Sequence, residues 1–182
     1  IESVLTYTRT EMNAEAPRKL SLNALIDAIV ANYEDMGRAV SFSQADDLIV
    51  KGGSSVFMSR QGQTTMTSAR ETTVMGRPIS LERAISNLID NALKYGRRAK
   101  VSLQTDADTA TIIVEDEGHE SSAADVEALL APFQRGQNTG AIAGHGLGLT
   151  IVATIANLHG GALTFEDTAN GVAARLSIQR NK

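Results

Sequence analysis

Asn87-Leu88-Ile89-Asp90-Asn91-Ala92-Leu93-Lys94-Tyr95 is the stretch on which the fold turns. Leu81, Ala84, Ile85, Leu88, Ile89, Ala92 and Leu93 form one apolar stripe at i, i+3, i+4 spacing, which predicts an amphipathic helix lying on a core. Ser80 reads as its N-cap with Pro78 just before it, and Glu82 puts an acid in the first turn, where the helix dipole favours one. Asn87, Asn91 and Lys94 fall at i, i+4, i+7 and share one face. That face borders the apolar stripe, so two amides and an ammonium line the edge of the core. An amide oxygen is a hard ligand suited to Mg2+, and an ammonium suits a polyphosphate. Asn and Lys also solvate ordinary helices, and this stretch alone favours that plainer reading.

Upstream, Ser21 is a good N-cap for a second periodic run, Leu22, Leu25, Ile26, Ile29, Val30 and Tyr33, which ends near Gly37. Residues 40–42 and 48–50 read as strands, and residues 51–75, rich in Gly, Ser, Thr and Gln, as a hairpin or loop. Downstream, residues 100–104 and 110–115 read as strands joined by an Asp/Thr-rich turn, and 123–130 as a short helix before Pro132. A glycine-rich run over 136–148 opens into a helix whose core face is Leu149, Val152, Ile155 and Ala156, stopped at Gly160-Gly161. Two strands around the turn Asn170-Gly171 close the chain.

A length of 182 residues with 42% hydrophobic composition suffices for one domain with a sizeable core. The net charge of −4 offers no basic face for nucleic acid, and zero cysteines exclude disulfides and thiolate metal sites. No apolar run approaches the ~20 residues of a membrane span, and the N-terminus has no signal-peptide pattern. A soluble cytoplasmic domain is the expectation. The chain starts at Ile1 without Met, and is expected to be a fragment of a longer protein.

Two further features carry chemistry. Asp116 closes a strand before Glu117-Gly118, where a carboxylate can accept from an exocyclic amine and glycine lets the backbone turn under a ligand. Taken singly, Asp-x-Gly is more often a turn. Gly144-His145-Gly146-Leu147-Gly148-Leu149 sets alternating glycines at a helix N-terminus, exposing N–H groups that can cradle phosphate. It has neither the Walker A ending nor the preceding strand of a dinucleotide fingerprint. The three histidines, His119, His145 and His159, match no zinc spacing; His159 reads as a helix C-cap whose charge favours the dipole.

In order along the chain, these pieces resemble the catalytic domain of sensor histidine kinases, within the superfamily that includes gyrase, Hsp90 and MutL. Asn87 to Tyr95 looks like the N box, Asp116-Glu117-Gly118 the first glycine box, Pro132-Phe133-Gln134-Arg135-Gly136 the F box, and 144–149 the second glycine box. The resemblance implies a two-layer α/β sandwich of the α+β class, a mixed sheet covered on one face by about three helices. It also implies ATP and Mg2+ as cofactors. Asn91 would hold the metal, Lys94 approach the phosphates, Tyr95 pack near the nucleotide and Asp116 recognise the adenine amine. Asn87 stands where the superfamily's hydrolases carry a water-activating Glu, and its amide is too weak a base, as suits transfer to a protein. Gly118, Phe133, Arg135, Gly144, His145, Gly146, Leu147 and Gly148 would complete the nucleotide site, with residues 134–148 as the ATP lid.

The same resemblance divides the chain into the tail of a dimerisation and phosphoacceptor helix over 1–13, a linker over 14–20 and the catalytic domain over 21–182. None of the histidines fits the phosphoacceptor context, so this piece is not expected to autophosphorylate alone. Expected partners are its own dimerisation domain and a response regulator, in a membrane-anchored homodimer. The first glycine box departs from the family pattern, reading His119-Glu120-Ser121-Ser122 where a second glycine is usual, and Val172 stands where many relatives place Thr near the adenine. A related serine kinase or ATP hydrolase, or a degenerate nucleotide-binding module that only docks partners, are the alternatives.

Overall fold

The computed structural model describes residues 14–44, 71–118, 122–128 and 147–180. Its order is β1 (Arg18–Ser21), α1 (Leu22–Asp35), β2 (Val40–Gln44), β3 (Thr73–Gly76), α2 (Pro78–Tyr95), β4 (Arg98–Thr105), β5 (Thr109–Glu117), α3 (Ala123–Ala128), α4 (Gly148–Leu158), β6 (Leu163–Asp167) and β7 (Val172–Gln179). Five strands form one sheet in the order β2-β4-β5-β7-β6, with β2 parallel to β4 and every other pair antiparallel. Alternate residues of the central strands, such as Val101, Leu103, Ile112, Val114, Leu176 and Ile178, are buried in one core with the apolar faces of α1, α2 and α4. This is the expected α+β sandwich with three helices on one face. Among the described residues no helix is long and apolar enough to cross a membrane.

The helices follow the periodicities, with corrections at their ends. Ser21 caps α1 as expected, its Oγ accepting from the Ala24 N–H at 3.3 Å. In α2 the stripe from Leu81 to Ala92 is buried, and Pro78 takes the first turn, where its missing N–H costs nothing. The N-cap is Arg77, not Ser80, and Arg77 makes no side-chain cap. The capping acceptor is Glu15. Its carboxylate takes the N–H groups of Ile79 (2.7 Å) and Ser80 (3.0 Å) and the Ser80 hydroxyl (2.8 Å), while its carbonyl accepts from Arg77 Nε at 2.7 Å. A carboxylate at a helix N-terminus satisfies orphan donors and meets the positive end of the dipole. In α4, Ile151 joins Val152, Ile155 and Ala156 in the core, while Leu149 is only half-buried.

A second, two-stranded sheet was not anticipated: β1 pairs antiparallel with β3, Arg18 opposite Gly76 and Ser21 opposite Thr73. Residues 14–20, read as a linker, are therefore tied down twice, by Glu15 on α2 and by β1 on β3. The helical tail expected over 1–13, the strand over 48–50, and most of the 51–75 loop lie outside the described residues.

His159 does cap α4, but not by charge. The Arg77 N–H donates to its Nε2 at 3.0 Å, so the ring proton must sit on Nδ1, which donates to the Ile155 carbonyl at 2.8 Å. The imidazole is thus neutral and 8% exposed, bridging the end of α4 to the start of α2. Burial first, and then the Arg77 charge, hold its pKa below the ordinary 6.5, against the opposing pull of the Ile155 carbonyl and Glu15. For Glu15, burial raises the pKa, but the Ile79 and Ser80 hydrogen bonds and Arg77 outweigh it, leaving the pKa below 4.5.

Both groups are depressed in the folded state, so the unfolded chain binds more protons, and stability falls as pH drops. The His159 contribution is full above about pH 6.5 and erodes below it. The Glu15 contribution persists to about pH 4.5 and is lost beneath that. Urea melts from about pH 8 down to about pH 3 should show this two-stage decline, and His159→Asn should flatten the upper stage alone. A wild-type profile level between pH 8 and 5 would show that His159 ionises without cost.

Candidate functional site

The polar face of α2 lies where its spacing put it. Asn87, Asn91, Lys94 and Tyr95 are all half-buried, on the flank between the core stripe and solvent. Two neighbours fix that flank. On one side Tyr33 of α1 donates its hydroxyl to Asp90 Oδ1 at 2.8 Å; burial and this carboxylate push the phenol up to about 12. On the other side stands the first turn of α4. A Cβ on Gly148 would come within 3.5 Å of Asn87 Oδ1, so the start of α4 faces the amide directly. Lys94 Nζ lies 5.2 Å from the centroid of the Tyr95 ring, close enough for cation–π attraction.

Asp116 reaches the same end of α2 from the sheet. It lies within β5 rather than at its end, and is 8% exposed. The last β5–β7 pair is Glu115 opposite Ala173; beyond it the Val172 N–H turns to the Asp116 side chain, donating to Oδ1 at 2.9 Å. Val172, noted for lacking a hydroxyl, thus contributes through its backbone. The C-cap of α2, Gly96, stands against Asp116: a Cβ there would meet the Asp116 Cβ at 2.9 Å. Gly118 follows with φ +95, a left-handed turn that favours glycine.

The fold therefore sets Asn87 against the start of α4 at Gly148, leaves Asn91, Lys94 and Tyr95 half-buried further along the same helix, and places Asp116 beside the helix end. Phe133, Arg135, Gly144, His145 and Gly146, together with His119, Glu120 and most of the 134–148 segment, lie outside the described residues. Gly96 and Gly171 were missed by sequence reading. A glycine after a helix signals only a stop, and one after Asn signals only a turn, so neither announces what packs against it.

The residues present fit a purine nucleotide with a hard cation. Asp116 sits in a cradle that any Cβ at 96 or 171 would fill, and a carboxylate is the acceptor type that an exocyclic amine pairs with. Asn91 offers an amide oxygen, the kind of hard donor that Mg2+ combines with waters and phosphates.

A family model described as Histidine kinase-, DNA gyrase B-, and HSP90-like ATPase matches residues 76–181. The sensor histidine kinase GtrS of Pseudomonas aeruginosa is 38% identical over 104 residues, covering 57% of this chain and 21% of that protein. The histidine kinase domain of the Escherichia coli osmosensor EnvZ superposes with a TM-score of 0.62 at 26% identity, covering 92% of each chain. The ATP-binding domain of PrrB from Mycobacterium tuberculosis has the same fold, with a TM-score of 0.65 at 19% identity over 91% of this chain and 98% of that one. The chain spans about a fifth of the length of the full-length relative it matches.

Proposed function

Because this chain belongs to the histidine kinase-, DNA gyrase B- and HSP90-like ATPase family, we propose that it is the ATP- and Mg2+-binding catalytic domain of a two-component sensor kinase. Its phosphoryl acceptor is a histidine on a separate dimerisation domain of the parent protein, and a response regulator acts downstream. The domain works on the cytoplasmic side of a membrane-anchored homodimer. What supports the reading is the meeting of two independent elements: the amide and ammonium flank of α2 and the buried Asp116 of β5, held together at Gly96.

Bound ATP supplies the phosphoryl group; everything else is positioning and charge neutralisation, the main demands of phosphoryl transfer. Asp116 accepts from the exocyclic amine of the base. Asn91 holds Mg2+ through its amide oxygen, and Lys94 offsets phosphate charge beside Tyr95. Asn87 faces the start of α4 with an amide that cannot abstract a proton from water, which protects the nucleotide from hydrolysis. Leu147 and Gly148 present the first N–H groups of α4, whose dipole favours phosphate. Phe133, Arg135, Gly144, His145 and Gly146 join this site on the strength of the sequence.

Calorimetric titration should find saturable ATP binding that depends on Mg2+. With ATP–Mg2+ and the parent's phosphoacceptor hairpin supplied as a second chain, acid-labile phosphate should appear on the hairpin and none on this chain. No nucleotide binding would leave the docking-module reading, and acid-stable phosphoserine on a partner would leave the serine-kinase reading.

A further inference from the structure

We propose that Gly96 and Gly171 are positioning residues for Asp116: their missing side chains set where its carboxylate stands, and preference for an adenine amine depends on both. The inference rests on Asp116 being the base-recognition residue, and adds what holds it in place.

Neither glycine is required by its backbone. Gly96 has φ −102 and ψ −173, extended values open to any residue, and Gly171 is not among the described glycines with positive φ, which are Gly37, Gly118 and Gly160. Space is the constraint. A Cβ at 171 would fall on Asp116 Oδ1 and press its carbonyl oxygen. A Cβ at 96 would lie 2.9 Å from the Asp116 Cβ, 2.8 Å from the Ala92 carbonyl oxygen and 3.0 Å from that of Glu117. The two collisions come from opposite structures, the end of α2 and the β6–β7 turn, so Asp116 is walled on both sides.

The same turn supplies what orients the carboxylate. Val172 donates to Oδ1 at 2.9 Å, and the Gly118 N–H donates to the Asn170 carbonyl at 2.8 Å, joining the end of β5 to the turn. A methyl at 171 would drive the Asp116 carboxylate off its present position and also press on the Asp116 carbonyl, so the turn must move away from β5 and the Val172 bond is lost with it. A methyl at 96 would press on the Asp116 Cβ and on the Ala92 and Glu117 carbonyls, so the end of α2 and this part of β5 must move apart. Either displacement moves the acceptor, while the phosphate-facing residues Asn91 and Lys94 lie on α2, before the C-cap.

The test compares ATP with purine riboside triphosphate, which lacks the 6-amino group, by titration in Mg2+. The wild-type chain should prefer ATP by about tenfold or more, one charge-assisted hydrogen bond's worth. No preference in the wild type would refute the Asp116 reading itself, before any glycine is tested. Given that preference, Gly171→Ala and Gly96→Ala should reduce it to within about twofold, while purine riboside triphosphate binds nearly as before. Gly37→Ala is the control: Gly37 has φ +69 and nothing within 4 Å, so it strains the chain away from the site and should keep the preference. A folded Gly171→Ala or Gly96→Ala protein that still prefers ATP tenfold overturns the inference. So does loss of the fold in both while Gly37→Ala stays folded, since the glycines would then serve the fold and not the carboxylate.

Discussion

Asp116→Asn is expected to lose ATP binding while keeping its fold. The amide retains an oxygen for the Val172 N–H, so the buried donor at 2.9 Å stays satisfied and the melting temperature should barely move. The base, however, then meets an NH2 group, or loses the charged acceptor if the amide turns over. Losing a charge-assisted bond costs about 1–3 kcal/mol, roughly five- to 150-fold in affinity, with more if two donors are left facing each other. Asp116→Ala should bind no better and also melt earlier, because it leaves the Val172 N–H buried without an acceptor. Calorimetry with ATP–Mg2+ and thermal melts separate the two effects. Unchanged ATP affinity in folded Asp116→Asn would remove Asp116 from the site.

The second large effect divides the two faces of α2. Ile85 is fully buried, and Ile85→Ala should destabilise the domain by about 2–5 kcal/mol through lost transfer energy and a residual cavity. In a domain of this size each kcal/mol lowers the melting temperature by about 2–4 °C. Asn91 sits six residues on, half-buried, and alanine is the better helix former, so Asn91→Ala should melt within a few degrees of the wild type. Its loss should appear in binding: ATP–Mg2+ weakens, whereas adenosine, which carries no phosphate for the metal to bridge, is unaffected. Equal weakening of both ligands, or a melt like that of Ile85→Ala, would make Asn91 a packing residue.

Legibility in the sequence tracked distance along the chain. The stripes of α1 and α2 were readable because a helix face repeats within seven residues, and Ser21 was readable as a cap because its partner, Ala24, is three residues away. Ser80 failed by the same rule. It has the right chemistry and stands two residues into the helix, but the acceptor that satisfies this end is Glu15, 64 and 65 residues upstream of its partners. Ile151 was passed over beside Val152 in α4, whose buried positions broaden because the helix packs on both α2 and the sheet. The pairing of β1 with β3 spans some fifty residues and leaves no local periodicity.

The same division runs through the site. The chemistry of each side chain was set by the sequence alone: amides and an ammonium on one helical face, a carboxylate before a glycine, and a glycine run opening a helix. So was the order of the four motifs, and with it the family. Only the tertiary structure decided which atoms meet. It turned the 87 flank toward Gly148, made His159 a neutral bridge between α4 and α2, and pinned Asp116 between Gly96 and Gly171. The physical reason is that periodicity and propensity are short-range and additive along the chain, whereas caps, ring tautomers and the room for a Cβ depend on contacts between elements far apart in sequence. A residue's type can therefore be read in place, but a glycine chosen for what stands against it cannot be told from one chosen for a turn until the chain is folded.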